Sequence, residues 1–430
     1  RKLCVAFFFF QGPIFSQGDH DAMIVFRSQL QHTVARPPHL AGPLATAQRR
    51  LAAAKAAPKG QPSSQLGGVK HILAVASGKG GVGKSSISVN LAFLLAHRGA
   101  RVGILDADIY GPSLPVLVPV IQKEIYAGKA GGIQPVMYGG VKLMSMGYAR
   151  PDEHAALRGP MASGMVRQML TQTEWGDLDY LVLDMPPGTG DIHLTVAQSV
   201  PVDGAVVITT PHALALADVE KGIAMFNKVS IPTLAVVENM SSFSCHVCGT
   251  THHLFDRAGR CQRVAESFGI PSVLSLPLDP ELSPGAMASR PEPFMLDPGR
   301  NHRPFAQGLA QLAEVAESEL ARLRRGGVKR KVKAALGPSG EALLEMHHTV
   351  GEGQTVRRSL SARNVRLACR SATMRDEVTG KKLFQDEDIA LDVHATKVEP
   401  AGFYAVHIDW SDGHRSLMPH SLLEELASQA

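Results

Sequence analysis

One octapeptide constrains this chain more than any other part of it. Gly78-Lys79-Gly80-Gly81-Val82-Gly83-Lys84-Ser85 fits the pattern G-x-x-x-x-G-K-[ST]. Backbone N–H groups must crowd around phosphate oxygens in such a loop, and glycines let the chain come that close. Lys84 is placed to meet the β- and γ-phosphates of ATP. Ser85 is placed to offer its hydroxyl to Mg²⁺, Ser86 belongs to the same nucleotide site, and the following helix adds its positive end. The flanks agree. His71 to Ala76 is a short apolar run that predicts a buried strand. From Ser85 to His97, Ile87, Leu91, Leu94 and Leu95 share one helical face, and Gly99 closes the helix. Arg101 to Leu105 predicts the next strand, which ends in Asp106. A plain glycine turn would explain the glycines but not this strand–loop–helix–strand context, which opens a doubly wound parallel sheet.

Further apolar runs at Tyr180 to Leu183, Gly204 to Thr209 and Thr233 to Val237 predict strands. Helical patterns over Met161 to Leu170, Leu216 to Lys228 and Phe305 to Leu323 lie between and after them. The alternation predicts an α/β fold, a doubly wound, mostly parallel P-loop NTPase domain over 69–324. Residues 325–358 read as a basic linker. The basic residues there and just before it, Arg324, Arg325, Lys329, Arg330, Lys331 and Lys333, have no interleaved aromatics for base stacking, so a solvated linker is expected and no nucleic-acid partner. Over 359–430 the pattern changes. Phe403 to Trp410 alternates and Ser411 to His414 makes a turn, which predicts a β-hairpin in a small C-terminal β-rich domain. Residues 1–68 form an N-terminal arm. The chain starts at Arg1, and its first 66 residues hold only two acids, Asp19 and Asp21, a composition that suits an organelle transit segment. No apolar run reaches the length of a transmembrane helix, so no membrane span is expected.

Outside the loop, other residues carry chemistry. Lys79 is a second lysine in a loop whose own site already has Lys84. It reads as a charge for a phosphate held by a partner subunit, or as a solvated surface lysine. Asp106 and Asp108 can hold Mg²⁺ through water or orient an attacking water, Asp108 more so, or they can simply cap a helix. Asp184 ends an apolar run where a carboxylate would bind Mg²⁺ through water. The Pro186-Pro187-Gly188-Thr189-Gly190-Asp191 loop after it is built to change shape on hydrolysis. The five cysteines are too few for a disulfide scaffold in 430 residues. Cys245 and Cys248 form one close pair, which allows three readings. They can be half of a 4Fe–4S ligand set completed by a two-fold dimer, part of a zinc site with His252 and His253, or a thiol–disulfide pair. Cys261 and Cys369 read as ordinary cysteines.

At these residues the chain resembles the Mrp/ApbC branch of the MinD-type P-loop ATPases, which are iron–sulfur cluster scaffolds and carriers. Ser77 to Ser85, Asp106 to Ser113, Arg158 to Met161, Trp175 to Tyr180, Asp184 to Asp191 and Val237 to Met240 carry the resemblance, which covers about Val69 to Leu323. It implies a homodimer that sandwiches two ATP molecules, with Lys79 reaching across and Asn239 contacting adenine. It makes Cys245 and Cys248 bridging ligands of a 4Fe–4S cluster. The implied function is ATP-dependent assembly of clusters and their delivery to apoproteins. The other readings are a MinD/ParA-like positioning ATPase and a zinc-stabilised ATPase regulator. The C-terminal stretch is similar to a domain of plastid carriers of the high-chlorophyll-fluorescence type, through Asp376 to Gly380 and Tyr404 to Gly413. It implies a plastid stroma location, with mitochondrial matrix and cytoplasm as alternatives. Two departures stand out. Residues 1–68 are too short for the small α/β domain that usually precedes the ATPase. Cys369 stands by itself where related domains have several cysteines. The C-terminal domain is therefore expected to be a docking module.

Overall fold

Strand β1 (Val69–Ser77) is buried without interruption from Ile72 to Ser77. Leu73 and Val75 enter one core, while Ile72, Ala74 and Ala76 enter another. A strand covered on both faces has no polar side to show, which is why the run lacks alternation. The computed structural model describes residues 66–120, 131–149, 159–245, 248, 250–253, 259–282, 293–324, 330–350, 354–370, 374 and 383–429. Cys4 and the rest of the N-terminal arm to residue 65, Arg158, Arg325 and Lys329, and Asp376 to Gly380 lie outside the described residues.

The strands after β1 are β2 (Val102–Asp106), β3 (Val136–Tyr138), β4 (Val141–Met144), β5 (Leu178–Pro187), β6 (Gly204–Thr209), β7 (Thr233–Glu238), β8 (Phe243–Ser244), β9 (Thr251–His252) and β10 (Val273–Ser275). Eight of them with β1 included make one sheet in the order β10-β7-β6-β1-β5-β2-β4-β3. Only β3 runs antiparallel to its neighbour. β8 and β9 pair by themselves as a hairpin. Helices α1 (Lys84–His97) and α6 (Pro304–Arg324) fill the core on one face of the sheet. Helices α2 (Gly159–Gln172), α3 (Asp191–Ser199), α4 (Ala213–Lys228) and α5 (Arg260–Phe268) fill the core on the other. This is the doubly wound sheet that the alternation predicts. β3, β4 and β10 escape sequence reading because three or four residues are too few to set a period.

One expectation is corrected. The stretch 325–358 is not a linker in its described residues, 330–350 and 354–358. It contains β11 (Arg330–Leu336), β12 (Ala342–Val350) and most of β13 (Gln354–Ser361), which pair as an antiparallel sheet. Lys331 and Lys333 are exposed while Val332 between them is buried, so a half-buried strand looks like a charge run. Helix α7 (Ala362–Leu367), strands β14 (Ala395–Ala401), β15 (Ala405–Trp410) and β16 (Arg415–Pro419), and helix α8 (His420–Gln429) follow. Val332, Leu344, Met346, Leu360, Trp410 and Leu423 share one core, so the C-terminal domain begins with β11. The expected hairpin is β15 and β16. The domain is seated against the ATPase domain: Arg322 of α6 stacks over the Tyr404 ring at 5.7 Å, and Arg370 pairs with Glu266 of α5 at 3.2 Å. No helix among the described residues is long and apolar enough to cross a membrane.

Candidate functional site

The glycine loop leaves the C-terminal end of β1 and enters α1. Gly81 and Gly83 take left-handed conformations, with φ of 76° and 84°, which side-chain-bearing residues adopt at a cost. Gly83 has no room for a side chain either, since a Cβ there would stand 2.3 Å from Asn239 Nδ2. Gly78 packs equally close to α4, where a Cβ would stand 2.4 Å from Asp218 Cβ. Gly80 meets no such neighbour. Val82 is buried, and its carbonyl accepts a hydrogen bond of 2.9 Å from Asn239 Nδ2. Asn239 lies just past β7, where its N–H donates to Thr209 O at 2.8 Å.

Lys84 and Asp184 meet beneath this loop. Lys84 Nζ is 2.5 Å from Asp184 Oδ1 and 3.1 Å from Ser85 Oγ. Ser88, one turn along α1, donates to the same Asp184 oxygen at 2.8 Å. Asp106 faces Asp184 across the β2–β5 ladder. Its Oδ2 accepts from the N–H groups of Ser113 and Leu114 at 3.0 Å and from Ser145 Oγ at 3.1 Å. Its Oδ1 accepts from Asp108 N at 3.1 Å. Asp106 therefore does cap a helical turn, one that starts at Leu114. Burial, with the Asp184 charge beside it, raises its pKa. Asp108 is half-buried and accepts from Gly111 N at 3.1 Å, leaving it at the rim of the site.

Lys79 takes no part in the Lys84–Asp184 contact. Its Nζ lies 3.7 Å from Asp218 Oδ2 on α4, a residue that sequence reading passed over. Sequence reading missed Ser88 as well, although its spacing of four from Lys84 puts both on one helical face. It also missed His193 in the first turn of α3. Burial, then the charge of Lys84, push the His193 ring down to about 4.

The cysteine pair sits at the tip of the β8–β9 hairpin. Phe243 pairs with His252 and Ser244 with Thr251, and Cys245 N donates to Thr250 O at 3.0 Å. Cys245 is half-buried and Cys248 exposed. Hydrogen bonds from Thr250, then from Cys245, hold the Cys248 thiol below its ordinary value. His252 and His253 are exposed, while His246 and Val247 lie outside the described residues. Among the described residues no three His, Cys, Asp or Glu side chains come together to hold a metal within one chain. Cys261 and Cys369 are buried, each in a core. Burial pushes the Cys261 thiol up to about 12.

A family model described as ParA, NUBPL iron-transfer P-loop NTPase, matches residues 68–313. A second, described as gamma-butyrobetaine hydroxylase-like, N-terminal, matches residues 348–423. The chain is 41% identical to the Fe-S cluster assembly factor HCF101, chloroplastic, of Oryza sativa subsp. japonica, over 87% of this chain and 68% of that protein. It is 50% identical to the iron-sulfur cluster carrier protein of Salmonella typhimurium, over 54% of this chain and 64% of that protein. The chain thus spans about two thirds of the length of these relatives. A solved nucleotide-binding protein from Archaeoglobus fulgidus, in complex with ADP, aligns at 36% identity and a TM-score of 0.48, covering 56% of this chain and 94% of that one.

Proposed function

This chain belongs to the ParA-type, NUBPL iron-transfer family of P-loop NTPases, and we propose that it assembles 4Fe–4S clusters and carries them to apoproteins under the control of ATP. The observation that carries this reading is a short connection. Asn239, bonded to the phosphate loop at Val82, stands six positions before Cys245 at the exposed hairpin tip. A nucleotide that moves the loop therefore acts on the cysteines through one short segment. The names of the relatives favour a carrier over a positioning ATPase.

Lys84 binds the β- and γ-phosphates once it leaves Asp184. Asn239 contacts adenine, with one amide hydrogen already committed to Val82. Ser85 Oγ and the Asp184 carboxylate are hard oxygen donors that suit Mg²⁺, which when bound neutralises phosphate charge. Asp108 at the rim orients the attacking water. Exposed Tyr110, Val116, Met161 and Leu194 follow the C-terminal ends of β2 and β5, or open α2, around the phosphate loop. Apolar side chains on that rim support a homodimer closing over two ATP molecules. Lys79 then leaves Asp218 for the partner's phosphates, which makes hydrolysis slow in one chain and faster in the dimer. Two cysteines per chain supply four thiolates at the two-fold axis, the ligand count that a 4Fe–4S cargo needs. The C-terminal domain docks the acceptors. The name of the rice relative supports a plastid location.

Anaerobic reconstitution with iron and sulfide tests the proposal. One cluster per dimer, transferable to an apoprotein in an ATP-dependent manner, is expected. Full zinc occupancy with no iron uptake would overturn it in favour of the zinc-stabilised regulator.

A further inference from the structure

Helix α3 directly follows the 184–191 loop and carries an unsatisfied polar group in its first turn. His193 is 2% exposed, and neither Nδ1 nor Nε2 meets a hydrogen-bond partner among the described residues. The ring lies edge-on to Phe226 of α4, with centroids 6.4 Å apart, in the core that also holds Val196, Val219 and Ile223. A buried imidazole without a partner costs stability that an apolar ring in the same place would not. Its position relative to Gly190 gives it a use. The Gly190 carbonyl already accepts the backbone N–H of His193 at 3.1 Å. It lies near enough to the ring to favour the protonated form, yet outside hydrogen-bonding geometry. A carbonyl oxygen has a second lone pair to offer. With its pKa held at about 4, the ring is neutral at ordinary pH and presents one N–H. A single donor without a partner thus sits within one helical turn of an acceptor in the loop that follows Asp184.

We propose that His193 is a positioning residue of the nucleotide switch, whose ring N–H closes onto the Gly190 carbonyl when the 184–191 loop rearranges around a nucleoside triphosphate. The bond is made in the triphosphate state and missing in the nucleotide-free state. It therefore supplies the difference between two states that a ligand needs in order to shift them. The inference rests on the reading of this site as an ATP site.

The test compares wild type with His193→Gln, which keeps a donor, and with His193→Phe and His193→Met, which do not. Hydrogen exchange over residues 184–193 is followed without nucleotide, with ADP and with a non-hydrolysable ATP analogue, alongside kcat and KM for ATP. Wild type and His193→Gln should gain protection with the ATP analogue beyond that with ADP. The two apolar variants should lose most of that gain and about tenfold in kcat, with KM little changed, the loss expected of one hydrogen bond. They should be at least as heat-stable as wild type without nucleotide. If wild type fails to bind the ATP analogue, the reading of the site falls. If wild type binds and is protected but either folded apolar variant shows the same protection and kcat, the role of His193 falls and the site stands.

Discussion

Lys84 Nζ and Asp184 Oδ1 stand 2.5 Å apart with both side chains almost wholly buried, so the lysine of the glycine loop is neutralised by the acid of β5, the strand beside β1. The pair keeps a cation available in a place where a lone charge could not stay.

Replacing Lys84 by Ala should weaken ATP binding about ten- to a hundredfold, since charge-assisted contacts contribute roughly 1.5–3 kcal/mol each. It should also strand Asp184 and cost about 3–5 kcal/mol of stability without nucleotide. Lys84→Met with Asp184→Asn should recover much of the stability and none of the binding. Calorimetric titration with ATP and denaturant unfolding separate the two effects. Undiminished binding in Lys84→Ala would defeat the assignment.

The Lys79–Asp218 pair is partly exposed and 3.7 Å long, so breaking it should cost less than about 1 kcal/mol. Asp218→Asn should therefore leave the fold intact while releasing Lys79, and dimers should form at lower ATP concentration. Lys79→Ala should bind ATP but lose hydrolysis. Mixing it with Asp108→Asn should restore some activity, because one site of the mixed dimer keeps both residues. Sedimentation confirms mixed dimers, and no rescue within them would count against action across the interface.

His193 gives stability a pH dependence of known sign. Its pKa falls from 6.5 to about 4 on folding, so the folded protein binds fewer protons in that window. Its contribution is complete above about 6.5 and is lost as pH falls toward 4, roughly 3 kcal/mol over the whole range. Asp106, whose pKa burial raises, acts in the opposite sense and is common to both proteins compared. Between pH 7.5 and 5.5, wild type should lose about 1 kcal/mol more than His193→Gln. Equal losses in urea melts would show that the ring titrates normally.

Changing Cys245 or Cys248 to Ser removes two of four ligands at once, because symmetry repeats the change. Iron and sulfide content should collapse while ATP still binds. Changing His252 and His253 to Ala should cost little iron, since both are exposed at the base of the hairpin. Loss of metal in the histidine variant with none in the cysteine variants would reverse the assignment.

The phosphate loop, the strands around it and the cysteine pair were legible in the sequence because each is local. A glycine pattern, an apolar run or a spacing of three is complete within a dozen residues. Strand β11 was not legible as a strand, since Lys331 and Lys333 flank a single inward Val332 and only the partner strand reveals its burial. The same limit applies to charges. Asp184 was identified by its place at the end of a strand, but its pairing with Lys84 across 100 positions depends on β1 and β5 lying side by side. Sequence reading passes over Asp218, which α4 brings against Lys79, and His193, which α3 turns onto Phe226. A residue's type sets what chemistry it can do. Which charges meet, and which polar groups are left without water, is decided by packing between distant segments, because burial and Coulomb energy depend on distance in space rather than along the chain.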